Sequence, residues 1–91
     1  YSVLISQGII VDKMILFGSY AKKTAYPWSD VDICVVSPRF GRSSFDEMVR
    51  LKKLTTGVES LIEPHPYTQQ ELENVYDPLA KEIREYGIRI V

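Results

Sequence analysis

Two short groups of residues carry the chemistry this sequence offers. Gly18-Ser19 closes the apolar run Met14-Ile15-Leu16-Phe17, and ten residues further on comes Asp30-Val31-Asp32. A Gly-Ser pair where a buried strand ends and a helix begins gathers backbone amides and the positive end of the helix dipole, which attract phosphate. Two aspartates two positions apart on a strand point to one face, where their oxygens suit hard cations such as Mg²⁺. Two such ions about 4 Å apart stabilise the attacking and leaving oxygens of a phosphoryl or nucleotidyl transfer. A third carboxylate is then needed. Glu59 and Glu63 are the candidates, and their even spacing puts both on one face with Leu61 between them. Periodicity does not choose between the two.

The elements that must hold these groups follow from hydrophobic period and turn chemistry. Residues 1–6 read as the end of a helix with Gly8 as its stop. Residues 14–17 and 31–36 read as strands, the second stopping before Pro38, and Ser19 is placed to cap a short helix over 20–23. Ser44-Phe45-Asp46-Glu47 has capping-box spacing and opens a helix of about three turns that Gly57 ends. Residues 58–63 form a third strand, with Pro64 and Pro66 expected to forbid further pairing. Thr68 to Glu71 is a second capping box, and Asp77-Pro78 caps a last helix that Gly87 stops, before a final strand over 88–91. The alternation of strand and helix predicts an α/β or α+β domain.

Composition narrows the function further. The 91 residues fit one small domain, and 45% hydrophobic with 25% charged residues is ordinary for a folded globule. Eleven Lys and Arg against twelve Asp and Glu leave a net charge of -1, so there is no strong signal for nucleic-acid binding. No apolar stretch approaches the roughly 18 residues of a membrane span. No secretory leader is recognisable and Cys34 stands alone, so a reducing cytoplasm is expected. The start at Tyr1 instead of Met suggests a trimmed chain.

With these residues in view, the chain resembles the minimal nucleotidyltransferases of the DNA polymerase β superfamily. The likeness rests on Leu16-Phe17-Gly18-Ser19-Tyr20-Ala21, the Ser29-Asp30-Val31-Asp32 segment and the later Pro66-Tyr67-Thr68 with Glu71-Leu72, and it covers almost the whole chain. The resemblance implies a single domain over 1–91 with a small mixed sheet, helices mainly on one face, and the metal site at the exposed sheet surface. It implies that Gly18 and Ser19 hold nucleotide phosphates, that Asp30 and Asp32 bind Mg²⁺, and that the third acidic position is Glu63, which would also help deprotonate an incoming hydroxyl. ATP would be the substrate, with two Mg²⁺ ions as cofactors. Family members are often antitoxins of HEPN ribonuclease toxins, and some silence the toxin by transferring AMP to a tyrosine. One departure is that relatives commonly carry Arg-Gly where this chain has Lys22-Lys23. Lysine keeps a point charge for phosphate but loses the bidentate fork.

Simpler readings stand beside these. Lys22 and Lys23 are ordinary solvated residues unless one touches phosphate. His65 lies between two prolines in a turn and is expected to be structural or solvent-facing, not catalytic, and Cys34 reads as a small core residue. Tyr26 and Trp28 would stack on a base or fold back on their own domain. The cations around the long helix, Arg39, Arg42, Arg50, Lys52 and Lys53, read as a solvated face. A second class of function is a module that neutralises its partner by contact, its nucleotide site silent or regulatory. A third is transfer to a small molecule or a nucleic-acid end.

Overall fold

The computed structural model describes residues 1–26, 29–57 and 61–91. Strand β1 (Lys13–Phe17) pairs antiparallel with β2 (Val31–Val36), and β2 pairs parallel with β3 (Ile62–Tyr67). Two residues of β4 (Ile88–Arg89) complete the sheet against β1, two fewer than expected, giving the order β3-β2-β1-β4. A parallel pair cannot be closed by a hairpin, and helix α2 (Ser44–Thr56) supplies the crossover between β2 and β3. The mixed sheet expected from the sequence is therefore present.

Both faces of the sheet are covered, which corrects the expectation of helices mainly on one side. Ile33 and Val35 of β2 pack with Met14, Leu51 of α2 and Leu4 of α1 (Ser2–Ser6). The alternate residues Cys34 and Val36 pack with Phe17, Leu72 of α3 (Gln69–Leu72) and Ile83 of α4 (Pro78–Tyr86). The run Ile33-Cys34-Val35-Val36 is buried at every position, as a central strand with two covered faces requires. Side chains as fully enclosed as Leu51 and Ile83 contribute about 1.5–3 kcal/mol each. Among the described residues no helix is long and apolar enough to cross a membrane.

The third strand is displaced from its expected place. It runs through Pro64 and Pro66 instead of stopping before them, because β3 is an edge strand. The carbonyls of Leu61 and Tyr67 accept from the β2-side amides of Val31 and Ser37 at 2.7 and 3.0 Å, so odd-numbered residues of β3 face β2. Ile62, Pro64 and Pro66 then face the open edge, where a missing N–H removes no ladder bond and blunts the edge against further pairing. Residues 58–60, where the strand was expected to start, lie outside the described residues, and Glu59 with them.

Two helix starts also differ from expectation. Residues 18–23 form hydrogen-bonded turns, not a short helix, with the Lys22 and Thr24 amides donating to the Gly18 and Ser19 carbonyls. For α2 the extended cap residue is Ser43, one earlier than expected. Glu47 reaches back to the amides of Gly41 and Arg42 in place of a closed capping box. The Thr68–Glu71 capping box and the Asp77 cap of α4 are as expected.

Asp77 has two duties. Its Oδ1 accepts from the Leu79 amide at 2.9 Å, and its Oδ2 accepts from the Tyr67 hydroxyl at 3.0 Å. Burial and this bond raise the Tyr67 phenol above its usual pKa. Asp77→Ala is expected to lower stability by about 2 kcal/mol in urea unfolding, through the lost cap and the orphaned phenol. Cys34 is fully enclosed and burial pushes its thiol up to about 12. Burial disfavours the reactive thiolate, so at pH 8 a thiol reagent should label Cys34 only after the protein is unfolded.

Candidate active site

The sheet brings three strand ends together. Phe17, the last residue of β1, lies opposite Asp32, and Asp32 lies opposite Glu63. Gly18 follows Phe17 with φ of +73°, a left-handed conformation that glycine adopts without strain. A Cβ built there would fall onto the Asp32 carboxylate, 3.2 Å from its Cγ. The backbone at Gly18 therefore passes close to the acid, and both the positive φ and the position of the Asp32 carboxylate favour a residue without a side chain there.

Asp32 is held from the other side. Nε2 of His65 lies 3.3 Å from Asp32 Oδ1, and both side chains are about a quarter exposed, at 24% and 29%. The imidazole stands edge-on to the Phe17 ring at 5.0 Å between centroids. Asp32 Oδ1 thus meets His65, while Oδ2 is the oxygen nearest the missing Gly18 side chain. His65 was expected to be a bystander in a turn. With β3 running through both prolines, it shares a face with Glu63, Asp32 and Cys34. The signal that could have found it is the odd-numbered alternation Glu63, His65, Tyr67.

The remaining expected site residues fall as follows. Glu63 is in register with Asp32, and its Oε2 lies 3.6 Å from Lys52 Nζ, which also donates to the Ile62 carbonyl at 2.6 Å. Lys52 was read as part of a solvated face and is instead the cation beside the third carboxylate. Asp30 is exposed in the loop immediately before β2. Lys22 is bound to Glu82 Oε1 at 2.5 Å and lies 5.1 Å from the Tyr86 ring centroid, and the Glu82 bond raises its pKa. A phosphate contact by Lys22 would replace that bond. Lys23 adopts φ of +59°, a conformation that costs a side-chain-bearing residue about 1–2 kcal/mol. Trp28 lies outside the described residues, and Tyr26 is exposed.

The donor chemistry suits a divalent cation. Asp30, Asp32 and Glu63 offer hard oxygens from the starts of neighbouring strands, with Asp32 and Glu63 in register. Among the described residues no three ligating side chains already converge as an ion cage. Glu63 would exchange Lys52 for the ion, and Asp32 would offer Oδ2. The Glu63–Lys52 pair is about 39% exposed on each side, and such a pair contributes about 0–1 kcal/mol, so the exchange costs little.

Beside this site, on the outer flank of β3, lies a cleft of about 470 Å³. His65, Tyr67, Asp77, Phe45 and Leu79 are among the residues that line it.

Comparison with known proteins agrees with the fold. The model of the nucleotidyltransferase domain family matches residues 4–90. No curated protein matches the chain significantly. Two solved structures share the fold with a TM-score of 0.64 at 19% identity, covering 97% of this chain. One is a toxin-antitoxin with AMP-PNP and the other a mutant of the toxin-antitoxin MntA-HpeT. The chain spans 66% of the length of each matched chain.

Gly18→Ala tests the cradle. Strain at positive φ together with the collision against Asp32 is expected to cost about 2 kcal/mol of stability. Binding of ATP, followed by titration calorimetry, should weaken at least about tenfold.

Proposed function

The chain belongs to the nucleotidyltransferase domain family, and from that premise we propose that it transfers AMP from Mg·ATP to a hydroxyl of a partner protein. In this reading it is a one-domain transferase acting in the cytoplasm, and its partner is a HEPN-type toxin that it silences as an antitoxin. The observation that carries the transferase reading is the close approach of the Gly18 backbone to Asp32, with Glu63 in register on the next strand. Support for the partner comes from the toxin-antitoxin structures that share the fold, and for the nucleotide from the AMP-PNP in one of them.

The roles follow from position. The turn at Gly18 and Ser19 receives the β- and γ-phosphates on its backbone, with Lys22 as an added charge once it leaves Glu82. Asp30, Asp32 and Glu63 would hold Mg²⁺. The ion, when bound, neutralises phosphate charge and polarises the reacting oxygens. The acceptor oxygen bonds to the α-phosphorus, and the bond from that phosphorus to the bridging oxygen breaks with its electrons leaving on pyrophosphate. The hydroxyl proton passes to the Glu63 carboxylate and on to water. Before the ion binds, His65 meets Oδ1 of Asp32 and orients the acid towards the turn. Catalysis is then mostly positioning and charge neutralisation.

A second reading, contact neutralisation by a silent site, is favoured by one observation. Asp32 and Glu63 each already have a partner, in His65 and Lys52. Asp32→Asn separates the two. With α-labelled ATP and Mg²⁺ in a native lysate, wild type should label one protein, and the variant should lose at least about 100-fold of that labelling while still binding the partner. A silent binder would label nothing and neutralise its partner with or without Asp32.

A further inference from the structure

The geometry points to the cleft beside β3 as the seat of the acceptor, and to an acceptor that is a hydroxyl-bearing side chain of a protein segment carrying positive charge. This rests on the transfer reading above. In-line displacement requires the hydroxyl to arrive opposite the departing pyrophosphate. The phosphate turn at Gly18-Ser19 leaves β1, whereas the cleft is lined by His65, Pro66 and Tyr67 of β3, two strands away in the sheet. His65 touches Asp32 with its Nε2 and forms part of the cleft wall, so the two spaces meet at that pair.

The lining selects the chemistry. Phe45, Met48, Pro66 and Leu79 give apolar walls suited to an aromatic ring, and the carboxylates of Glu71 and Asp77 place negative charge around it. At about 470 Å³ the cleft has the size of a small-ligand site, enough for one side chain and part of its neighbours. Its rim argues for a protein occupant. Phe45 is 70% exposed, and Val75 and Tyr76, in the loop between the lining residues Asn74 and Asp77, are 73% and 90% exposed. Exposed aromatic and apolar residues on and next to the lining are a feature of protein docking surfaces. The Glu71 and Asp77 carboxylates would repel a nucleic-acid backbone.

The test uses substitutions at two exposed positions outside the nucleotide site. Wild type, Phe45→Arg, Phe45→Glu and Asn74→Arg are compared for transfer from α-labelled ATP to the lysate acceptor, with binding of ATP measured on each. The expected result is a loss of labelling of at least about tenfold in Phe45→Arg and Asn74→Arg, less loss in Phe45→Glu, and ATP binding within about twofold of wild type throughout. Labelling at the wild-type level in both arginine variants would overturn the cleft as the acceptor seat. Equal loss in Phe45→Glu and Phe45→Arg with none in Asn74→Arg would overturn the cationic acceptor. No Asp32-dependent labelling by wild type would remove the transfer reading itself, and this proposal with it.

Discussion

The placement of β2 between one antiparallel and one parallel neighbour is the constraint on which the rest depends. An antiparallel partner brings the end of β1 to the start of β2, and a parallel partner brings the start of β3 to the same edge. Phe17, Asp32 and Glu63 therefore stand in one row across three strands. Had β3 paired antiparallel, its Tyr67 end would have lain beside Asp32 and the third acid would have sat at the far edge. The crossover helix α2 is what makes the parallel pair possible, and its Lys52 reaches the very edge where Glu63 sits.

The row must also be rigid, and burial on both faces of β2 supplies that. Every residue from Ile33 to Val36 is enclosed, so a slip by one position would exchange the side chains packed on the two faces and carry Asp32 to the face of Ile33 and Val35. The prolines of β3 contribute in the same sense. They leave the β2-facing amides intact and fix φ at alternate positions of an edge strand, which holds Glu63 and His65 in register with Asp32 and Cys34.

Much of this was legible in the residues. The spacing from Gly18-Ser19 to Asp30-Val31-Asp32 pointed to a strand, a turn and a second strand, and the caps at Thr68 and Asp77 marked two helices where they occur. The third strand was misplaced because proline was read as a barrier to pairing, which holds for a central strand and not for the outer side of an edge strand. Strand order is a non-local property, so no window of sequence showed that residues 62–67 lie at the edge. That one error hid His65, whose partner Asp32 is 33 positions away, and likewise left Lys52 as an anonymous surface cation. The turn after Ser19 was read as a helix because Ser is a good cap. The left-handed Lys23 shows that the chain there bends away from helical geometry.

The pairing of both acids bears on how the site is held before any ligand arrives. Asp30, Asp32 and Glu63 fall within a few backbone positions of one another, and like charges so placed repel unless something offsets them. Lys52 brings a positive charge to Glu63 and His65 brings a ring nitrogen to Asp32, each through a part-exposed contact that water and ions can compete with. Neither contact is deep enough to hold its acid against a divalent cation, and each brings one partner to one acid. Lys52 reaches Glu63 from a helix and His65 reaches Asp32 from a strand, so the two acids are positioned independently. The site is thus preorganised by groups that can be displaced, a consequence of building it at the edge of a two-faced sheet and not within its core.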